Sequence, residues 1–175
     1  MILVTGGTGF IGKRLVDKLA KSDNKIRILS SKKNLQHSYK GSVEFIHHDL
    51  MKDEITKNIL SGCDTIYHLA GYAHDLKSNS NINHKYWQLN VDATIKLARM
   101  AVHCGVKKFI FVSSVKAGGS FNSNREITEK DQKHPEDIYG ITKREAEIRL
   151  FEIGRQTGLF VSIIRPSLIY GPGVK

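Results

Sequence analysis

The sequence predicts an α/β fold in which a parallel β-sheet is flanked by helices. Short β-rich runs alternate with helical segments, which is the pattern of a parallel sheet wrapped by helices. The β-rich runs are apolar without clean alternation, as expected of strands that are buried on both faces. A glycine-rich stretch at residues 5–12 (TGGTGFIG) joins the first β-rich run to the first helical segment.

The elements are expected in a regular order along the chain. The strand candidates are residues 2–5, 26–29, 43–47, 65–69, 109–113 and 160–164. The helix candidates are residues 12–21, a long segment from Tyr86 to Cys104, a segment from Pro135 to Gln156 and a short turn within residues 54–60. Gly105 and Gly158 follow the two long helices, where glycine is a common C-terminal cap. Residues 75–84 and 118–133 are rich in polar residues and predict surface loops.

Length and composition indicate one domain covering residues 1–175. Hydrophobic residues make up 40% and charged residues 25%, which is ordinary for a globular domain, and no apolar run is long enough to cross a bilayer. The first five residues form a strand and not a secretion signal, because no basic segment precedes them. With only Cys63 and Cys104 and no metal-ligand spacing, we expect reduced thiols, no metal site and a cytoplasmic protein.

The formal net charge of +10 is spread along the chain. No dense basic block is interleaved with aromatic residues, which argues against nucleic-acid binding. A positive field raises the encounter rate of anionic small molecules, so these are the expected partners.

The glycine-rich stretch has the features of a phosphate-binding turn. Gly6 permits a tight turn, Gly9 lets the backbone approach a pyrophosphate, and Gly12 lets the helix pack close to the sheet. The free N–H groups at the start of the helix, near Phe10 and Ile11, are expected to face the phosphates. This strand–turn–helix context predicts a Rossmann-type, doubly wound sheet that binds a dinucleotide.

Further motifs follow the glycine turn in a fixed order: HDL ending at Leu50, HLAG ending at Gly71, NV beginning at Asn90, FVSS ending at Ser114, YGITK from Tyr139 to Lys143, RPS around Pro166 and YGPG at residues 170–173. This ordered set resembles the extended short-chain dehydrogenase/reductases, the group that contains the nucleotide-sugar epimerases and dehydratases. The resemblance covers essentially all 175 residues.

The resemblance implies a set of cofactor contacts. It implies that Asp49 hydrogen-bonds the adenine amino group. His68 is expected to be a satisfied polar residue near the cofactor and not a catalyst. The other cofactor contacts that the resemblance implies are Leu50, the small-residue turn Leu69, Ala70 and Gly71 beside the ribose, Asn90, and Pro166 beside the nicotinamide.

Tyr139 and Lys143 form the predicted chemical centre. Four residues apart on one helix, they project from the same face. The phenol of Tyr139 has an ordinary pKa of about 10, and the Lys143 ammonium and an oxidised nicotinamide are expected to lower that pKa until Tyr139 acts as acid and base. The resemblance implies that Lys143 also holds the nicotinamide ribose and that Tyr139 also contacts the cofactor. Ser114 is expected to hold the substrate oxygen, with Ser113 as the alternative, because adjacent strand residues point to opposite faces.

Two departures from the family pattern bear on specificity. NAD-preferring members carry an acidic residue after the second strand, where this chain has Ser30, followed by Lys32 and Lys33. Loss of the carboxylate removes repulsion against a 2′-phosphate, so we expect NAD(P) with a preference for NADP; the alternative is that the two lysines form a solvated turn. Dehydratases place an Asp-Glu pair just after Ser114, and the Val115-Lys116 found here disfavours dehydration. Lys116 either contacts an anionic substrate or faces solvent.

The resemblance implies an NAD(P)-dependent epimerase or reductase acting on a nucleotide-activated sugar. It also implies a homodimer formed through the helices from Tyr86 to Cys104 and from Pro135 to Gln156. The alternative is a non-catalytic dinucleotide-binding or sensor protein, against which the Tyr139–Lys143 pair argues. Extended members continue into a substrate-binding lobe after YGPG, so we expect a chain truncated relative to them, with apolar surface exposed near residues 161–169.

Overall fold

One parallel sheet organises the chain. In the computed structural model, which describes residues 1–33, 39, 41–73, 80–120 and 126–173, the sheet has six strands in the order β3-β2-β1-β4-β5-β6, all paired in parallel. The strands are β1 (Ile2–Thr5), β2 (Ile26–Ser30), β3 (Val43–His47), β4 (Thr65–His68), β5 (Lys108–Val112) and β6 (Phe160–Ile164). Every predicted strand end agrees to within one residue. The order, which runs outward from β1 in both directions, is that of a doubly wound Rossmann-type sheet, so the predicted fold class is confirmed.

Helices connect the strands. They are α1 (Phe10–Leu19), α2 (Lys57–Leu60), α3 (Ser80–Trp87), a π-helical segment (Gln88–Ala93), α4 (Thr94–His103), a 3₁₀-helix (Val115–Gly118) and α5 (Ile138–Thr157). Helix α1 begins and ends two residues earlier than predicted. Helix α5 begins at Ile138 because the Asp137 side chain caps it, accepting a hydrogen bond from the Gly140 N–H at 2.7 Å. Gly158 ends α5 in the left-handed conformation, as predicted, with φ of 75°.

The long helix begins earlier than the sequence predicts. Residues 75–84 are predicted as a loop, but α3 starts at Ser80 and continues through the π-helical segment into α4; residues 74–79 lie outside the described residues. Ile82 and Tyr86 lie one turn apart and are only 8% and 4% exposed. Their burial outweighs the polar composition, because local propensity is a weak guide where tertiary packing is available. The predicted loop at residues 118–133 contains the end of the 3₁₀-helix, and residues 121–125 lie outside the described part.

The core lies on both faces of the sheet. The larger cluster, on the side of α4 and α5, includes Leu97, Phe109 and Phe111, and the smaller cluster includes Val16 of α1 and Ile28 of β2. The inner strands β1 and β2 are buried on both faces, as predicted. The same prediction is wrong for the other four strands. In β4 and β5, buried residues alternate with partly buried or exposed ones, so one face of each strand is less covered. The edge strands β3 and β6, each with a neighbouring strand on one side only, contain no fully buried residue.

Apolar side chains are exposed after β6, as expected. Leu168 and Ile169 are 85% and 37% exposed, and Tyr170 is 83% exposed. Among the residues that the structure describes, no helix combines the length and the apolar character needed to cross a bilayer.

Candidate active site

The strand order reverses between β1 and β4, which is where open sheets of this kind bind ligands. The turns after these two strands lie against each other. A Cβ atom on Gly6 would lie 2.7 Å from the backbone of Leu69 and Ala70, and Gly6 has a φ of +68°. The Ala70 N–H donates a hydrogen bond to Thr5 Oγ1 at 3.2 Å. Only glycine fits at position 6, both sterically and conformationally.

The start of α1 packs against the same turn. A Cβ atom on Gly12 would lie 2.1 Å from the Gly6 carbonyl oxygen and 2.7 Å from Gly7 Cα. Gly12 therefore brings the helix against the glycine turn itself, whereas the sequence predicted an approach to the sheet. A Cβ atom on Gly9 would meet only the Gly6 oxygen, at 3.2 Å. Gly9 is the N-cap of α1 and makes no side-chain hydrogen bond to it, and the first turn of α1 contains no acidic residue. The N–H groups at Phe10 and Ile11 are therefore not paired with a carboxylate from the first turn of α1.

The ends of β2 and β3 carry the residues predicted to bind the adenosine. Ser30 is buried, and its hydroxyl lies 3.3 Å from the Thr8 hydroxyl and accepts a hydrogen bond from the Lys32 N–H at 3.2 Å. The Lys32 side chain is exposed. Asp49 Oδ1 accepts a hydrogen bond from the Met51 N–H at 3.0 Å. The adenine contact predicted for Asp49 stays a prediction, as does that of its neighbour Leu50, which packs against the larger core cluster.

Tyr39 adds a contact that the sequence did not predict. Its hydroxyl donates a hydrogen bond to the Gly7 carbonyl at 3.0 Å. This bond connects Tyr39 to the glycine turn. No sequence signal identifies this residue, because the partner is a backbone carbonyl 32 residues away.

Asn90 lies in the π-helical segment and connects the turn after β4 to α5. Its side-chain oxygen accepts from the Tyr72 N–H at 2.7 Å, and its amide nitrogen donates to the Tyr72 carbonyl and to Thr142 Oγ1, both at 3.1 Å. Both amide hydrogens are thus used within the protein, which ties the turn after β4 to α5. A direct cofactor contact by Asn90 stays a prediction.

Tyr139 and Ser114 meet at the start of α5. The Ser114 side chain lies close enough to the Tyr139 phenol to act on its pKa, in the direction that favours the phenolate. The ring of Tyr86 lies 6.3 Å from the Tyr139 ring in an edge-on arrangement. Ser113 is 3% exposed, and its hydroxyl has no hydrogen-bond partner among the described residues. Of the two serines left open by the sequence, Ser114 is therefore the one beside Tyr139.

Lys143 is buried next to the turn after β4. Its ammonium donates to the Val112 carbonyl at 3.0 Å and lies 4.5 Å above the Phe111 ring. A Cβ atom on Gly71 would lie 3.0 Å from Lys143 Nζ and 3.1 Å from Asn90 Oδ1, so a side chain at position 71 would crowd both groups. Burial lowers the pKa of Lys143 to about 8, against the opposing effect of the Glu147 carboxylate.

The prediction that Lys143 lowers the pKa of Tyr139 is wrong for the free chain. Burial raises the pKa of Tyr139 above its ordinary value, although the Ser114 side chain and the Lys116 charge act in the opposite direction. Lys143 has its ammonium turned to Val112, and its Nζ lies 5.9 Å from the centre of the Tyr139 ring. Among the described residues, the Lys116 ammonium acts to lower the pKa of Tyr139.

Lys116 and Asp137 form a contact that the sequence did not predict. The Lys116 ammonium pairs with the Asp137 carboxylate at 2.6 Å. Lys116 therefore has a protein partner, and neither of the two roles considered from the sequence included one. Asp137 was recognisable as a helix cap from its residue type, but its pairing 21 residues away in sequence was not.

An ion pair holds the end of β6 against α5. Arg165 Nε donates to Glu147 Oε1 at 2.9 Å, and a second contact joins Arg165 Nη2 to Glu147 Oε2. Next to it, the Pro166 carbonyl accepts from the Val115 N–H at 3.1 Å. This contact fixes the backbone after Ser114, and the predicted approach of Pro166 to a nicotinamide stays a prediction.

His68 is a satisfied core residue, as the sequence predicts. It is fully buried, with Nδ1 2.6 Å from Thr5 Oγ1 and Nε2 2.8 Å from Thr94 Oγ1. Burial, and then the nearby Lys143 charge, lower the pKa of His68 to about 3. In the described part of the chain no cluster of three or more His, Cys, Asp or Glu side chains is placed to hold a metal.

The sheet order and the glycine turn define a Rossmann-type domain with a Tyr–Lys pair at the end of β5. Residues 2–175 match the NAD dependent epimerase/dehydratase family. The chain therefore belongs to this family.

Individual relatives agree with the family match. UDP-glucose 4-epimerase of Vibrio cholerae is 35% identical over 178 residues, covering 99% of this chain and 53% of that protein. A 3-beta-hydroxysteroid dehydrogenase of Mycolicibacterium neoaurum is 29% identical over 178 residues, covering 98% and 48%. The structure of MoeE5 in complex with UDP-glucuronic acid and NAD is similar with a TM-score of 0.85 at 28% identity, covering 99% of this chain and 56% of that one. The chain spans about half the length of these relatives.

Proposed function

We propose that the chain is the dinucleotide-binding domain of an enzyme that epimerises or reduces a nucleotide-activated sugar. The observation that carries this proposal is that Tyr139, Ser114 and the buried Lys143 lie together at the sheet edge that also holds the glycine turn. The epimerase of Vibrio cholerae and the MoeE5 complex with UDP-glucuronic acid and NAD support the same substrate class and cofactor.

The residues present fit a dinucleotide. The backbone at Gly6, Gly9 and Gly12 forms a turn in which added Cβ atoms would meet backbone, and the start of α1 carries no acidic side chain to repel a pyrophosphate. In the turn after β4, Gly71 has no side chain that would crowd Lys143 Nζ. The Lys143 ammonium would hold the ribose hydroxyls. A bound nicotinamide supplies the hydride acceptor and donor that the chain itself lacks.

The proposed chemistry of the chain's own residues is a proton transfer at Tyr139. Ser114 would hold the substrate oxygen, and the Tyr139 oxygen would take the proton from the substrate hydroxyl or return it. The raised pKa of Tyr139 in the free chain means that binding must add favourable interactions with the phenolate.

Lys143 supports an enzyme over a dinucleotide sensor. The Lys143 residue is 3% exposed, and burial of a charge is unfavourable. A module that only binds a dinucleotide has no need of a tyrosine and a buried lysine on one helix. In a catalytic site, groups with displaced pKa values are expected.

We also infer that NADP binds more tightly than NAD. Ser30 lies at the end of β2, and its hydroxyl accepts a hydrogen bond from the Lys32 N–H. The side chain of Lys32 is exposed. A small neutral residue leaves space for a 2′-phosphate, and a lysine attracts it. Calorimetric titration with both dinucleotides tests this: Lys32→Ala is expected to weaken NADP more than NAD. Lys25→Ala, at the opposite end of β2, is the control. Tighter binding of NAD would contradict the inference.

A homodimer is the proposed assembly. Trp87, Ile148 and Phe151 are large apolar side chains on α3 and α5 that are 36%, 45% and 47% exposed. Ile148 and Phe151 lie three residues apart on one face of α5. Sedimentation of the chain and of Phe151→Glu, with Gln156→Glu as the control on the same helix, tests this assembly.

The central experiment measures dinucleotide binding first and substrate second. Gly12→Ala places a Cβ atom 2.1 Å from the Gly6 oxygen and is expected to weaken binding at least tenfold. Gly154→Ala is the matched control, because its Cβ atom also meets backbone, 2.9 Å from the Leu159 oxygen, but at the far end of α5. The chain with its dinucleotide is then titrated with UDP- and TDP-sugars and with a 3β-hydroxysteroid. Binding of the steroid alone would contradict the sugar substrate class.

A further inference from the structure

Lys116 connects the two segments that carry Ser114 and Tyr139. Its N–H donates to Ser114 Oγ at 3.3 Å, and its ammonium pairs with Asp137 at 2.6 Å. Asp137 in turn caps α5 by accepting from the Gly140 N–H at 2.7 Å. One lysine thus contacts the serine through its backbone and the start of the tyrosine helix through its side chain.

The backbone of Lys116 is fixed against α5. A Cβ atom on Gly140 would lie 2.6 Å from the Lys116 carbonyl oxygen and 3.0 Å from Pro135 Cβ. Gly140 directly follows Tyr139, so this contact sets the distance between the 3₁₀-helix and the phenol. The side chains of Lys116 and Asp137 are 59% and 46% exposed. Exposed pairs of this kind contribute little to stability, so a stabilising role alone does not account for the pair.

Several groups act on the Tyr139 phenol. Burial raises its pKa; the Ser114 hydroxyl and the Lys116 ammonium favour the phenolate, and the Asp137 carboxylate and the Tyr86 phenol oppose it. Lys143, on the same helix, has its ammonium at the Val112 carbonyl. In the described residues, Lys116 is therefore the cation whose charge favours ionised Tyr139.

We propose that Lys116 is a positioning residue that supplies the positive charge for proton transfer at Tyr139, an inference that rests on the proposed acid–base role of Tyr139. Asp137 holds the ammonium in place and moderates its charge. The proton that leaves a substrate hydroxyl then arrives at a phenolate that the Lys116 charge favours, and this charge is independent of the lysine that is proposed to hold the ribose.

The ionisation of Tyr139 in the free chain tests the proposal without substrate or cofactor. The chain is labelled with 3-fluorotyrosine, whose phenol ionises at lower pH, and the Tyr139 resonance is assigned with Tyr139→Phe and titrated by fluorine NMR. Lys116→Met is expected to raise the pKa of Tyr139, and Lys116→Arg to leave it near the wild-type value. Asp137→Asn, which keeps a capping side chain, is expected to lower it. Lys107→Met, at the opposite end of β5, is the control.

The opposite signs separate an electrostatic role from a structural one. If Lys116→Met and Asp137→Asn moved the Tyr139 titration in the same direction, loss of helix-cap geometry would explain both and the proposal would be overturned. An unchanged titration in Lys116→Met would overturn it as well. Failure of the proposed function is a separate result, because it would appear as absence of dinucleotide binding in a wild-type chain whose Tyr139 still titrates.

Discussion

Lys143 donates a hydrogen bond to the main-chain carbonyl of Val112 at 3.0 Å, while its Nζ lies 5.9 Å from the centre of the Tyr139 ring. The two residues share a helix face, as their four-residue spacing predicts. In the free chain, however, the lysine is directed to the end of β5 and not to the phenol. The Lys116 charge acts to lower the pKa of Tyr139. In our proposals, the two roles that the sequence predicts for Lys143 are therefore divided: Lys116 acts on the phenol, and Lys143 holds the ribose.

Lys143→Met is expected to stabilise the free chain at about pH 7 and to weaken dinucleotide binding. Burial lowers the pKa of Lys143 from 10.5 to about 8, and each pKa unit corresponds to about 1.4 kcal/mol. Loss of the hydrogen bond to Val112 offsets about 1 kcal/mol of the stability that removal of the buried charge adds. We therefore expect the free energy of unfolding, measured in urea, to rise by about 1 kcal/mol or more.

The pH dependence of this effect has a definite sign. The folded-state pKa of Lys143 lies below the unfolded value, so the unfavourable burial of the charge is complete below about pH 8 and is relieved as the pH rises to 10.5. The advantage of Lys143→Met over the wild-type chain is expected to shrink across that window. Lys96→Met, an exposed position on α4, is the control. A variant less stable than the wild-type chain at about pH 7 would contradict the assignment of a buried charge.

Protonation of His68 is expected to destabilise the fold in acid. Burial, and secondarily the Lys143 charge, lower the pKa of His68 from 6.5 to about 3. The stability that neutral His68 provides is fully present above pH 6.5 and is lost as the pH falls toward 3, with a slope of about 1.4 kcal/mol per pH unit. His68→Gln is expected to flatten the slope measured by urea unfolding between these limits, and His103→Gln, exposed at the end of α4, to retain it. An unchanged slope in His68→Gln would refute the assignment.

The sequence predicted the sheet more accurately than the site. The strands agree to within one residue because a buried run such as that ending at Ser30 is both continuous and bounded by polar residues. The start of α3 was missed because the burial of this helix depends on its packing against α5, which is distant in sequence. The same reason applies to the Lys116–Asp137 pair. Spacing along a helix predicts which residues share a face, but it does not predict which loop side chain arrives beside them.

Tyr139→Phe is expected to leave dinucleotide affinity within about twofold and to lower turnover by about a hundredfold or more, the scale of general acid–base catalysis. The reason is that the phenol lies beside Ser114 at the start of α5 and is not part of the glycine turn. Turnover is to be measured on the 175-residue chain or on a longer protein that contains it, whichever acts on a nucleotide sugar. Tyr67→Phe, on β4, is the control. Retention of most activity in Tyr139→Phe would remove the acid–base assignment.

Glu147→Gln is expected to destabilise the chain by about 3 kcal/mol, the scale for removing one partner of a buried ion pair. The Glu147 side chain is 4% exposed and that of Arg165 20%, so the arginine would keep a buried charge without its counterion. Glu145→Gln is a matched control with the same substitution on the same helix. Its partner is Arg149, and the two side chains are 31% and 44% exposed. Loss of this exposed pair is expected to cost about 0.5 kcal/mol or less.

The same substitution also tests the link between this ion pair and Lys143. Glu147 opposes the lowering of the Lys143 pKa by burial, so its neutralisation is expected to lower that pKa further below about 8. The free energy of unfolding of the wild-type chain is expected to rise from about pH 8, where folded Lys143 loses its proton. In Glu147→Gln this rise is expected to begin at lower pH, because Lys143 with a lower folded-state pKa loses its proton at lower pH. Urea unfolding of both glutamine variants across about pH 6 to 10 measures this. If the rise began at the same pH in Glu147→Gln as in the wild-type chain, the Glu147 carboxylate would act on Arg165 alone. The hydrogen bond to the Val112 carbonyl would then be what keeps Lys143 protonated.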